Sequence, residues 1–222
     1  DSRTIDESKF IATIKNNIRK KPSSIVIGPG LGSRKGLYKI IEDSLNYFDC
    51  PIILDADALN LISKDFNVLD KYKNQIIITP HPGEMSKITG KSVKEIQANR
   101  IKISSDVSRK IKCISVLKGF RTIISSNSGQ IYINGSGNEG MATGGMGDAL
   151  TGIIASFIGQ GYSELESTIL GVYVHGKAGD SIADVTSKRG ILASEIIKKL
   201  PKTIKLIEEN SSIYSDLERI EN

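Results

Sequence analysis

Three glycines and an acid, Gly144, Gly145, Gly147 and Asp148, close the run Gly135-Ser-Gly-Asn-Glu-Gly-Met-Ala-Thr-Gly-Gly-Met-Gly-Asp148. Glycines leave main-chain N–H groups free to converge on an anion, and a helix starting near Ala149 adds partial positive charge at its first turn. Residues Gly144, Gly145, Met146 and Gly147 are therefore expected to form an anion hole for a phosphate. A carboxylate in such a cradle would repel the ligand unless it points at something else. A hydroxyl awaiting deprotonation explains Asp148 as a general base. The plainer alternative is that Asp148 N-caps the helix and the glycines form a tight loop. Three glycines, an acid and a small-residue helix in succession favour chemistry over the cap.

Other candidates sit at the ends of apolar runs. Gly28-Pro-Gly-Leu-Gly32 can admit a ligand against bare backbone or be only a strand-to-helix turn. In Thr79-Pro-His-Pro-Gly-Glu84 two prolines hold the chain rigid around His81, at the strand end where open parallel sheets bind ligands, so His81 is expected to donate to a substrate. Lys118, followed by Gly119, is placed to reach a nucleotide phosphate, against the alternative of one more exposed lysine. Asp55 and Asp57 could be a metal-binding or acid pair, but strand-end aspartates commonly cap the next helix, and that role is expected for them. His175 falls on the small-residue face of a helix and is expected to pack or hydrogen-bond.

These residues need a frame. Residues 6–20 carry Phe10, Ile11, Ile14 and Ile18 at helical spacing, acids first and basic residues last, which predicts an amphipathic helix. Short apolar runs at Ile25–Ile27, Ile52–Leu54, Ile76–Thr79 and Ile114–Leu117 predict strands of a parallel sheet covered on both faces. Residues 92–111 predict a helix with Ile96, Ile103, Val107 and Ile111 buried. Arg121–Ser126 and Gln130–Asn134 flank Asn127-Ser128-Gly129, the turn chemistry of a hairpin. Helices follow over Asp148–Ile158 and about Ser163–Ala183, with Gly152, Ala155, Gly171, Gly176 and Ala178 permitting close packing. The polar end Ser211–Asn222 is expected to fray.

At 222 residues the chain is most naturally one domain, able to bury roughly 70% of its unfolded surface. Its two cysteines, Cys50 and Cys113, have no metal-ligand spacing and read as buried thiols of a reducing cytoplasm. No apolar run approaches the roughly 18 residues of a membrane span. A net charge of +5 is spread over helical faces without interleaved aromatics, which argues against nucleic acid and only modestly favours anionic ligands. The chain begins at Asp1 without a methionine, as a fragment or processed form would.

Asn138-Glu-Gly-Met-Ala-Thr-Gly-Gly-Met-Gly-Asp148 resembles the signature of the ribokinase-like superfamily, and the form with Gly137-Asn138 and Met141-Ala142 is similar to the nucleotide-dependent NAD(P)H-hydrate dehydratases. Further matches follow in family order: Gly28–Gly32, Leu54-Asp-Ala-Asp-Ala-Leu59, Thr79–Glu84, Leu117-Lys-Gly119 with Thr122, His175-Gly-Lys-Ala-Gly-Asp180 and Gly190-Ile-Leu-Ala-Ser194. The resemblance covers about residues 25–200 and implies a three-layer α/β/α sandwich with a mostly parallel central sheet and a late antiparallel hairpin. It implies nucleotide contacts from Lys118, Gly119, Phe120, Arg121, Thr122 and Gly147, and substrate contacts from Gly30, His81, Asn138 and Asp148. The implied activity returns the hydrate of NADH or NADPH to the working cofactor with ADP or ATP as phosphoryl donor and Mg2+ on the nucleotide, no residue being assigned as a direct metal ligand. It also implies a homotetramer or larger homo-oligomer and, in some members, fusion to an epimerase.

The match is incomplete. The strand–helix unit with which members begin is missing, so 1–222 is expected to be one ribokinase-like domain without it, and Glu195 stands where relatives often carry Asp. A kinase of the same superfamily acting on a hydroxyethylthiazole-like alcohol would use the same acid and anion hole. An NAD-dependent dehydrogenase would explain Gly28-x-Gly-x-Gly32 before Asp55 but has the wrong glycine spacing and leaves residues 135–147 unexplained. A nucleotide sensor would bind ADP without turnover.

Overall fold

The computed structural model describes residues 9, 12–14, 16, 20–32, 36–63, 65–70, 72–210 and 217–220. The helix expected over residues 6–20 lies largely outside them.

Among the described residues, seven strands form one sheet in chain order: β1 (Ile25–Ile27), β2 (Ile52–Leu54), β3 (Ile76–Ile78), β4 (Cys113–Leu117), β5 (Ile123–Ser125), β6 (Ile131–Asn134) and β7 (Leu217–Ile220). The pairs β1–β2, β2–β3 and β3–β4 are parallel, with Ile25 opposite Ile52, Ile52 opposite Ile76 and Ile76 opposite Cys113. The β4–β5, β5–β6 and β6–β7 pairs are antiparallel. The hairpin is shorter than its flanking apolar runs suggested. The expectation of a fraying end is corrected at Leu217–Ile220, which takes the sheet edge beside β6.

Runs that look uniformly apolar in sequence serve two faces, because successive side chains on a strand alternate. Ile52, Leu54, Ile76, Ile78, Cys113 and Leu117 face one way. That side is covered by α1 (Leu37–Tyr47), α2 (Ala56–Ile62), α3 (Asn67–Asp70), α4 (Pro82–Thr89), α5 (Val93–Ala98) and α6 (Arg100–Ile111). Ile53, Ile77, Ile114, Val116 and Ile124 face the other way, onto α7 (Met146–Gly159) and α8 (Glu164–Ala183). The last long helix, α9 (Ala193–Glu209), packs on α7 and α8 through Ile196 and Ile207.

The single helix expected over 92–111 is two, because Asn99 leaves the helical region at φ −135°, ψ 39°. Ser92 and Glu95 close a capping box on the first piece. Where α6 meets β4 and β5 the core is polar: Ser125 Oγ donates to Ser104 Oγ at 2.9 Å, and Ser108 Oγ donates to the carbonyl of Ser125 at 2.9 Å. These hydroxyls satisfy one another, which removes the penalty of burying them unpaired. Cys50 and Cys113 are free thiols, and burial pushes Cys113 up to about 12. Among the described residues no helix is long and apolar enough to cross a membrane.

Candidate active site

Helix α7 starts at Met146 rather than near Ala149, and its N-cap is Gly145 in the left-handed region at φ 83°. An L side chain there would be strained by about 1–2 kcal/mol, which accounts for that glycine. Asp148 is the third residue of the helix, so it is not the cap. Its side chain is exposed and has no hydrogen-bonding or ionic partner among the described residues. No side chain caps the first turn of α7, so its N–H groups are available to an anion beside a free carboxylate.

A cavity of about 390 Å³ opens beside this turn. Met146 and Gly147 form one wall, the stretch Lys118–Thr122 a second, and Asn134–Glu139 a third, with His175 also against it. The expected nucleotide contacts are thus brought together with two residues of the expected anion hole, Met146 and Gly147. Gly30, His81, Gly144, Gly145 and Asp148 do not line that cavity.

Lys118, expected to reach a nucleotide phosphate, is ion-paired inside the protein rather than exposed. Its Nζ lies 2.7 Å from Asp55 Oδ1 and 3.9 Å from Glu84 Oε2, with the lysine side chain 19% exposed and the Asp55 side chain 1% exposed. The expected capping role of Asp55 is overturned by the same contact, since it holds the N-cap position of α2 without any side-chain cap bond. Asp57 is no cap either: Gly32 N–H donates to its Oδ2 at 2.7 Å, which ties the Gly28–Gly32 loop to α2. Gly28 is required there, because at φ 133° an added Cβ would fall 1.7 Å from the Asp55 carbonyl oxygen. Gly30, at φ 68°, faces open space. The segment Asp55–Asp57 is therefore a seam, with Lys118 and the cavity on one side and the glycine loop on the other.

His81 does cap its helix. Its Nδ1 accepts from Gly83 N–H at 3.0 Å and Glu84 N–H at 3.3 Å, while Glu84 Oε2 accepts the His81 N–H at 2.7 Å. Its Nε2 lies 3.3 Å from Glu84 Oε1, so both ring nitrogens are engaged within the turn, although the side chain is 56% exposed. Asn138 is similarly engaged. Its Nδ2 donates to Asp180 Oδ1 at 2.9 Å, its Oδ1 accepts from Gly140 N–H at 3.0 Å, and Asp180 Oδ2 accepts from Gly137 N–H at 2.8 Å.

His175 sits under the start of α7. Burial pulls its imidazole down to about 4, against a hydrogen bond to the Met146 main chain that favours the protonated form, and the charge of Lys118 lowers it further. It is therefore neutral at physiological pH. Its Nε2 is buried without a hydrogen-bond partner.

Sequence reasoning missed Arg100, whose Nη2 donates to the carbonyl of Leu117 at 3.0 Å and whose guanidinium lies 3.1 Å from where a Gly119 Cβ would stand. No local pattern marks it; only the proximity of α6 to the end of β4 does. In the loop it supports, Phe120 is 85% exposed, Arg121 lies over its ring at 5.9 Å, and Arg121 adopts φ 52°. Thr122 Oγ1 donates to the Gly119 carbonyl at 3.0 Å.

A sheet that is parallel through β4 and antiparallel beyond it, layered between helices with a glycine-rich turn at the head of α7, defines a ribokinase-like α/β protein. A hydroxyethylthiazole kinase from Pyrococcus horikoshii shares this fold at a TM-score of 0.69 and 17% identity, over 90% of this chain and 78% of that one. The family model described as NAD(P)H-hydrate dehydratase matches residues 4–202, and the chain belongs to that family.

A bifunctional NAD(P)H-hydrate repair enzyme from Moorella thermoacetica is 40% identical over 185 residues, 83% of this chain and 35% of that protein. An ADP-dependent (S)-NAD(P)H-hydrate dehydratase from Bacillus subtilis is 34% identical, covering 83% of this chain and 65% of the relative. The crystal structure of an ADP/ATP-dependent NAD(P)H-hydrate dehydratase from Bacillus subtilis, co-crystallized with ATP/Mg2+, superimposes with a TM-score of 0.79 at 32% identity, over 85% of this chain and 66% of that one. The chain spans about a third of the length of the bifunctional relatives it matches.

Proposed function

We propose that this chain is a nucleotide-dependent NAD(P)H-hydrate dehydratase in which Asp148 is the general base. The observation that carries the proposal is the free carboxylate of Asp148 on the first turn of an uncapped helix, next to a cavity walled by Gly147 and Lys118–Thr122. Hydration of the nicotinamide ring leaves a hydroxyl, and hydroxide is a poor leaving group. Asp148 accepts the hydroxyl proton as its oxygen attacks the terminal phosphorus of ADP or ATP, releasing AMP or ADP. The N–H groups around Gly144–Gly147 hold the charge on the moving phosphoryl group. The ring nitrogen's lone pair then expels phosphate, and loss of a proton from the neighbouring carbon restores the double bond.

Bound with the nucleotide, Mg2+ would neutralise phosphate charge, a reading supported by the relative co-crystallized with ATP/Mg2+. Buried free thiols support a reducing, cytoplasmic setting. Exposed Leu192 and Ile197 at the start of α9 support a homo-oligomer, with a tetramer as our reading. Relatives more than twice as long and named bifunctional support an epimerase as fused or separate partner.

The test mixes the protein with NADH hydrate, magnesium and either nucleotide and follows the return of dihydronicotinamide absorbance. General-base help is worth about 10²–10⁴-fold, so Asp148→Asn is expected to lose turnover by that order while keeping ADP affinity. Undiminished turnover refutes the assignment. A stable phosphorylated alcohol as product would make the chain a small-molecule kinase instead.

A further inference from the structure

Lys118 is fixed at both ends. Its main chain is held by its N–H donating to the Pro80 carbonyl at 2.9 Å and by Arg100 Nη2 at 3.5 Å from its carbonyl oxygen. Its ammonium is held by Asp55 at 2.7 Å, with Glu84 as a second negative neighbour. Asp55 is itself immobile. Its N–H donates to the Ile27 carbonyl at 3.1 Å, its carbonyl accepts from Ala58 N–H at 3.0 Å, and Gly28 passes too close for any side chain. The next residue, Ala56, is held at φ 47°, a strained conformation for a residue with a Cβ.

This locked pair touches the anion hole. A Cβ placed on Gly147 would stand 3.1 Å from Lys118 Nζ and 3.5 Å from Asp55 Oδ2, so bare main chain at the second residue of α7 lies directly against the ammonium. A lysine that swung away to a mobile phosphate would leave a carboxylate sealed from water without its partner, which buried ion pairs strongly resist.

We propose that Lys118 stays on Asp55 throughout nucleotide binding, and that Asp55 is a positioning residue that fixes this ammonium as a stationary positive charge beside Gly147. The inference rests on the nucleotide-dependent reading of the site. A charge held in place before the reaction needs no reorganisation as negative charge shifts on the phosphoryl group, so its contribution belongs to turnover more than to affinity.

The experiment compares Asp55→Asn, Asp55→Glu, Lys118→Met and the double variant Asp55→Asn/Lys118→Met by ADP titration calorimetry and by turnover of NADH hydrate. Loss of the tether is expected to lower kcat by about a hundredfold, the scale of one lost anion-hole donor, with the ADP dissociation constant within about threefold of the parent. Asp55→Glu recovers part of kcat, and the double variant is no slower than Lys118→Met alone. Wild-type kcat in Asp55→Asn, or losses that multiply in the double variant, overturn the proposal.

Because single variants of a buried pair can unfold, a crystal structure of the wild-type protein with ADP gives a second measurement. Lys118 Nζ within hydrogen-bonding distance of Asp55 supports the proposal, and Nζ on a phosphate with Asp55 abandoned overturns it. Wild-type protein that takes up no ADP overturns the nucleotide reading and this inference together, whereas ADP uptake with Lys118 displaced overturns the inference alone.

Discussion

Alanine at Gly176 sets helix propensity against packing, and the structure allows the two to be weighed. Gly176 lies inside α8, where alanine is favoured over glycine by about 1 kcal/mol. The added Cβ would stand 2.2 Å from Ser136 Oγ, 2.8 Å from Ser136 C and 2.9 Å from Gly137 N. The hydroxyl can rotate away only by giving up the bond its single proton shares between the Tyr173 carbonyl and Asn134 Oδ1, both 3.0 Å away, at about 0.5–1.5 kcal/mol. The other two atoms are main chain, so the loop itself must retreat, and overpacking of this kind costs about 1–3 kcal/mol.

The unfavourable terms exceed the favourable one, and Gly176→Ala is expected to lose about 0.5–3.5 kcal/mol while moving a wall of the cavity proposed for the nucleotide. Gly152→Ala is the control: it is a helical glycine, exposed, with nothing within 4 Å of an added Cβ. Only propensity acts there, so a rise of about 2–4 °C in Tm is expected. Thermal melts and ADP titration of both variants decide the matter. A Gly176→Ala protein as stable as the parent with unchanged ADP affinity would refute the reasoning, as would a Gly152→Ala protein that melts earlier.

Two further outcomes are expected. His175 stays neutral in the folded protein down to about 4 while an unfolded imidazole takes its proton near 6.5, so the unfolded chain binds more protons between those values. Stability is then full above about pH 6.5 and falls by roughly 3 kcal/mol as pH drops to 4; His175→Gln should flatten that slope in melts across pH, and an identical slope would remove His175 as its cause. Asp180→Ala removes the acceptor for both Gly137 N–H and Asn138 Nδ2, charge-assisted bonds worth about 1.5–3 kcal/mol each, and should weaken ADP binding about tenfold. Asn138→Ala should add little to Asp180→Ala if the two act as one clamp, which a double-variant cycle in ADP affinity would measure.

Much of the frame was legible because it rests on local terms. Short apolar runs at Ile52–Leu54 and Ile76–Ile78 suit strands covered on both faces, which they are, and three glycines before Asp148 mark a bare turn at a helix start. The motif His175–Asp180 was visible as a stretch of small residues, but its content was not. Gly176 and Gly179 admit Ser136 and Met141, and Asp180 holds the loop between them, a division of labour set by contacts across about forty residues of chain.

Charges were read worst. Asp55 looked like a helix cap, and its pairing with Lys118 could not be read, because local pattern weighs a polar group against water and its immediate neighbours in sequence. Folding removes the water and brings the C-terminal ends of β2 and β4 to the same end of the sheet, and the two residues then neutralise each other across 63 positions. The sequence by itself determined the alternation of elements and the bare turn with an acid at its end, since backbone conformation and side-chain period act over a few residues. Only the tertiary structure decided which charge meets which, because an ion pair's partner is chosen by the packing that excludes solvent from both.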